Sequence, residues 1–118
     1  MGKVELYGLK KCSTCVKATQ WLDEHGVDYN FTDYRESPVD PKALRAWAEA
    51  LGGWEKLVNR ASMTWRNLPD ARKQPDGDAE WLALIAEFPA LVRRPVAVDA
   101  RGGVGVGFSD KKYVERFA

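Results

Sequence analysis

Cys12-Ser13-Thr14-Cys15 places two thiols three positions apart, and these are the only cysteines in the chain. Lys10, Lys11 and Lys17 surround the pair with positive charge. A thiolate, not a thiol, attacks a disulfide, so a site that stabilises the anion creates a nucleophile at neutral pH. The flanking pattern predicts such a site. Val4-Glu5-Leu6-Tyr7 alternates apolar and polar residues and reads as a strand, which Gly8 ends. Residues 13–25 then follow a helical pattern, with Val16, Ala18, Trp21 and Leu22 sharing one face and Gly26 as the stop. Cys12 therefore falls at a helix N-terminus, where unpaired backbone N–H groups and the macrodipole favour negative charge. Cys15 lies one turn further in, within reach of a mixed disulfide on Cys12.

Three other uses of the pair stay open at this level. A zinc half-site would need about four ligands, and only His25 and carboxylates remain to complete it. Both residues could be inert core cysteines, although the polar spacer and the lysines oppose this for Cys12. Cys12 could also act alone, with Cys15 only packing. Elsewhere, Arg93-Arg94-Pro95 precedes a strand pattern, and a proline entering a strand often marks a special turn. By residue type alone, Arg93 and Arg94 read equally well as a solvated charge pair, and Arg60 reads as an ordinary surface arginine. His25 reads as a helix-end residue that bonds the last carbonyls.

The elements needed to position these groups extend through the whole chain. Residues 28–34 alternate again as a second strand, giving a βαβ unit expected to be parallel and right-handed. Asp40-Pro41 caps a helix that buries Leu44, Trp47, Ala48 and Leu51. Short helical turns are expected at 54–58 and 64–68, and a loop at 70–77. Asp76 or Asp78 is expected to cap a helix carrying Trp81, Leu82, Leu84, Ile85 and Phe88. Residues 95–98 and 104–107 form two further strands around an Asp99 to Gly103 turn. Ser109 caps a last helix with Tyr113, Val114 and Phe117 inward. The prediction is one α/β domain over 1–118, ordered βαβ…ββα, with an all-helical insertion at about 41–88.

Composition limits the partners. The chain has 118 residues, 45% hydrophobic and 30% charged, which suits one globular domain. Lys+Arg is 18 and Asp+Glu is 17, a net charge of +1. Direct nucleic-acid binding by charge would call for a far more basic chain. The longest nearly uncharged stretch, 81–92, is too short to span a bilayer, and no export signal is visible at the N-terminus. A cytoplasmic protein that binds neither membrane nor nucleic acid is expected, and no bound metal or cofactor is called for.

With these residues placed, the sequence resembles the arsenate reductase C / Spx family of thioredoxin-like proteins, and within it the YffB-like subgroup. The resemblance spans nearly the whole chain. It rests on Cys12-Ser-Thr-Cys15 with Lys17-Ala18, the stretch from Trp21 to Gly26, Asn59-Arg60, Thr64-Trp65-Arg66-Asn67-Leu68, the stretch from Pro89 to Val96, and Val106-Gly107-Phe108. It implies a thioredoxin-like fold, Cys12 as nucleophile, a cis Pro95 beside it, and glutathione as co-substrate. Arg60 and Arg94 would hold a glutathione carboxylate or an oxyanion, with Lys11, Ser13 and Thr14 contributing from the cysteine loop. The resemblance offers three functions: glutathione-dependent thiol reductase, arsenate reductase, or a redox-sensing regulator that binds the RNA polymerase α subunit. Arsenate reductases of this family use one cysteine and three arginines, and the third falls here on Gly107, with Arg101 nearest in sequence. The chain also stops where the shared domain stops, short of the tail of Spx regulators.

Overall fold

The computed structural model describes residues 3–117. Strand β1 (Val4–Gly8) leads to helix α1 (Ser13–Glu24) and strand β2 (Tyr29–Asp33). Helices α2 (Pro41–Leu51), α3 (Trp54–Leu57), α4 (Met63–Arg66) and α5 (Asp78–Glu87) follow, with 3-10 turns at Asp70–Arg72 and Pro89–Leu91. Strands β3 (Val96–Val98) and β4 (Val104–Val106) and helix α6 (Asp110–Phe117) complete the order. The sheet runs β2-β1-β3-β4. β1 and β2 are parallel, and the other two pairings are antiparallel. The chain divides into two compact units, one built from residues up to Ser37 and from Arg94 onward, the other from Pro38–Arg93.

In the first unit, alternation in β1 turns Val4, Leu6 and Gly8 inward. Leu6, Ala18, Trp21, Leu22, Ala97 and Tyr113 form its core. Each large side chain buried there contributes about 1.5–3 kcal/mol. Trp21 and Phe108 meet the Tyr113 ring edge-on, with centroids 5.5 and 4.7 Å away. Two expected core residues face outward instead. Val16 and Val114 are exposed. The buried stripe of α1 is Cys15, Ala18, Trp21 and Leu22; Val16 follows Cys15 by one residue, about 100° around the helix. Val114 follows the buried Tyr113 in the same way.

The β3–β4 turn is held by Asp99, whose carboxylate accepts from the backbone N–H of Arg101 and of Gly103, each at 2.9 Å. Strand β2 is shorter than the alternation suggested. It stops at Asp33, whose Oδ1 accepts from the N–H of Arg35 at 2.8 Å and turns the chain. Pro95 likewise lies outside β3.

In the second unit, the Asp40 carboxylate caps α2 through the Lys42 N–H at 2.8 Å, with Pro41 next. Gly52 ends the helix at φ +99°, a conformation that suits glycine. Trp81 stacks on Trp54 and Trp65 at 6.2 and 5.9 Å. Gly77, not Asp76 or Asp78, occupies the N-cap of α5. The Asp78 carboxylate instead accepts from the Trp54 indole N–H at 2.8 Å, satisfying a donor on a buried ring. Among the described residues, no helix is long and apolar enough to cross a membrane.

Candidate functional site

The site grows from the end of β1. After Gly8 the chain turns back, with the Cys12 N–H on the Leu9 carbonyl at 3.1 Å. The parallel register sets Gly8 beside Asp33, so the residues following β1 and β2 emerge side by side. Asp33 fastens the loop: its Oδ2 accepts from the Lys10 N–H at 3.0 Å. That bond first, then the N–H groups of Arg35 and Glu36, hold its carboxyl below the usual range. Lys10 Nζ pairs with Glu36 at 2.9 Å.

Cys12 is the N-cap of α1, as the sequence predicted, with extended backbone (φ −85°, ψ 121°). No oxygen-bearing side chain caps this end; the thiol occupies the place. Partial burial opposes ionisation of Cys12. The Cys15 N–H, the Cys15 thiol, the Arg94 guanidinium and the Thr14 N–H outweigh it and hold the thiol below its ordinary value.

Cys15 behaves in the opposite way. It is 1% exposed. A Cβ built on Gly8 would come within 2.5 Å of its sulfur, so only glycine leaves room for that thiol against β1. Burial pushes the Cys15 thiol up to about 12; the Leu9 N–H opposes this, and the nearby Cys12 charge adds to it. Both cysteines are free thiols. Among the described residues, no group of three or more His, Cys, Asp or Glu is placed to hold a metal ion. His25 bonds the Trp21 carbonyl through Nδ1 at 2.9 Å and stacks on the Trp21 ring.

Arg94 enters from the segment before β3, and its bond to Pro95 is cis. Its guanidinium donates to Cys12 and to Tyr34. Cys12 opens on a cleft of about 630 Å³. The cysteine loop supplies one wall through Lys10, Lys11, Ser13 and Thr14; Asp33, Arg35, Glu36 and Arg94 supply the other. The structure thus brings Cys12, Lys11, Ser13, Thr14 and Arg94 together, with Cys15 behind Cys12. Pro95 is fully buried and does not line the cleft; its carbonyl accepts from the Gly107 N–H at 2.9 Å. Arg60 belongs to the Pro38–Arg93 unit, exposed in the turn between α3 and α4. Gly107 stands at φ +77°, where any side chain would be strained. Arg101 sits in the β3–β4 turn.

Residues 7–116 match the ArsC family. The chain belongs to the ArsC family. It is 37% identical to an uncharacterised Haemophilus influenzae protein over 98% of this chain and 99% of that one. It is 30% identical to the global transcriptional regulator Spx of Enterococcus faecalis, over 95% of this chain and 83% of the regulator. Among solved structures, a YffB protein shares 38% identity with a TM-score of 0.86, covering 98% of this chain and 100% of that one. The fold is thioredoxin-like.

Sequence reasoning missed one side of this ArsC-family site: Asp33, Tyr34, Arg35 and Glu36. Residues 28–34 were expected to be strand throughout. The available signal was the parallel βαβ unit itself. Parallel strands place the segment after β2 next to the segment after β1, which carries the cysteines.

Proposed function

We propose that this protein is a thiol–disulfide oxidoreductase that uses glutathione, with Cys12 as the nucleophile. One observation carries the reading: Cys12 stands at a helix N-cap against Arg94 and opens on a cleft lined by both cations and carboxylates. Membership of the ArsC family, with the thiol pair, supports a thiol-based oxidoreductase or regulator. Glutathione carries two carboxylates and one ammonium, and a cleft lined by Lys11, Arg35 and Arg94 as well as by Asp33 and Glu36 complements such a zwitterion.

The Cys12 thiolate attacks a sulfur of the substrate disulfide. One S–S bond breaks, a Cys12 mixed disulfide forms, and the other sulfur leaves as thiolate and takes a proton. A glutathione thiolate then attacks the mixed disulfide and releases Cys12 as its stabilised anion. A second glutathione completes the reduction, so two glutathiones become one glutathione disulfide. The buried Cys15, with its thiol pushed up to about 12, is a slow resolving group, which favours glutathione for this step.

Arsenate reduction is the less supported enzyme reading. The position matching the third oxyanion arginine is Gly107, in a backbone conformation adverse to any side chain. A regulator reading is favoured by the Spx relative, which aligns with 95% of this chain. In that reading Cys12 and Cys15 close into a disulfide that alters binding to RNA polymerase.

Turnover separates these readings. NADPH consumption through glutathione reductase is followed with a glutathione mixed disulfide and, separately, with arsenate. The proposal expects turnover of the disulfide alone. Turnover of arsenate favours the second enzyme reading. Silence with both, and redox-dependent capture of RNA polymerase, favours the regulator.

A further inference from the structure

Tyr34 has no place in the mechanism above, yet it is 3% exposed at the edge of the cysteine centre. Its backbone N–H donates to the Gly8 carbonyl at 3.0 Å, tying the end of β2 to the strand that delivers the cysteine loop. Its ring is therefore fixed both by burial and by the sheet. Its phenol oxygen meets the Arg94 guanidinium, which also meets the Cys12 sulfur. Arginine has five N–H donors and no acceptor. One guanidinium can therefore donate to a phenol oxygen and a thiolate at once.

Arginine is a long side chain with much rotamer freedom to lose. A guanidinium reaching Cys12 unaided would spend part of its time elsewhere in the cleft. We propose that Tyr34 is a positioning residue for the Cys12 centre: its phenol oxygen fixes the Arg94 guanidinium, which then stands against the Cys12 sulfur. In this role Tyr34 acts on Cys12 through Arg94. Burial, opposed by Arg94, raises the phenol above its ordinary value. The hydroxyl thus stays neutral at physiological pH, and the full charge of Arg94 remains available to Cys12.

The inference rests on Cys12 being the nucleophile of the proposed function. Its test reads the thiol directly, without a turnover substrate, so the two claims fail separately. Cys12 alkylation by iodoacetamide is measured across pH, with the adduct assigned by mass spectrometry. Tyr34→Phe keeps the buried ring and removes only the hydroxyl. Lys10, Lys11, Asp33, Arg35 and Glu36 face the same cleft, Cys15 lies behind it, and all are common to every variant compared. Tyr34→Phe is expected to slow Cys12 alkylation at neutral pH about threefold and Arg94→Ala about tenfold, the scale of one hydrogen bond to a charged group. Both variants move the titration midpoint upward. In the Arg94→Ala background, Tyr34→Phe adds nothing.

A Tyr34→Phe titration that superimposes on wild type overturns the proposal. So does a Tyr34→Phe effect that persists in full without Arg94. A second measurement needs no variant: the Tyr34 ring 13Cζ resonance of the wild-type protein, followed by NMR across the Cys12 titration. It is expected to move with Cys12, and a resonance that stays fixed refutes the relay even if Tyr34→Phe fails to fold.

Discussion

The first unit carries a cleft at each end of β1, and the two differ in chemistry far more than in size. The cleft after β1 holds Cys12 and measures about 630 Å³. The cleft at the start of β1, lined in part by His25, Asp99, Arg101 and Arg116, measures about 710 Å³. Each contains arginines and aspartates. In the second, the fold has already used Arg116 and Asp99. Arg116 donates to the Ala97 and Gly103 carbonyls at 3.1 and 3.2 Å, lies 3.7 Å from Asp99 and covers the Phe117 ring. Asp99 caps the β3–β4 turn. At the first cleft, Arg94 reaches the Cys12 sulfur at a helix N-terminus. Concavity and charge therefore do not distinguish the two. What distinguishes the first is a thiol whose anion the backbone and Arg94 stabilise.

The strongest way to break this contrast is Cys12→Ser. Glutathione-coupled turnover of a disulfide should fall to background, while Cys15→Ser should keep a monothiol activity. Retained turnover in Cys12→Ser would remove the first cleft from the account.

Next come two substitutions that act through the fold. Gly8→Ala drives a methyl into the Cys15 sulfur and should cost about 1–3 kcal/mol in denaturant unfolding, the usual range for overpacking. Combining it with Cys15→Ala should recover much of that loss. Arg116→Ala should cost a similar amount, about 1–3 kcal/mol, because it strips hydrogen bonds to two carbonyls. The Cys12 alkylation rate should not change in Arg116→Ala, which separates structural from chemical arginines.

The pH dependence of stability sharpens the contrast between the thiols. Cys15 is pushed up to about 12 in the fold, from an ordinary thiol value of 9.0. As pH rises above 9.0, the unfolded chain releases this proton and the native state keeps it. The stability held below that range is then lost as pH approaches the folded value. Tyr113, also pushed up to about 12 by burial, acts in the same direction from its ordinary value of 10.0. Thermal unfolding should therefore show falling stability over this alkaline window, and Cys15→Ala should flatten the fall without abolishing it. The smallest effect is expected for Arg101→Ala, at the second cleft. Turnover should stay within about twofold, as for most surface changes.

Much of this contrast was legible before any coordinates. A strand, a glycine and a helix around Cys12-Ser13-Thr14-Cys15 sufficed to place one thiol at a helix N-terminus and the other a turn inside. The order of strands and helices was equally readable, because alternation and helical spacing are local signals. What could not be read depended on neighbours distant in sequence. Val16 was expected inside because it is apolar, yet the stripe that packs runs through Cys15 and Ala18. Asp78 was expected as a cap, yet it is drawn to the Trp54 indole. The Tyr34–Arg94–Cys12 cluster joins residues far apart in the chain, and no periodicity signals it.

The central claim is that one fold sorts two thiols three residues apart into opposite roles. Site-resolved titration of the two cysteine 13Cβ resonances in the reduced wild-type protein tests it most directly. Cys12 should ionise below the ordinary thiol range, and Cys15 should remain protonated until well above it. Midpoints that coincide, or a Cys15 that ionises first, would contradict the account.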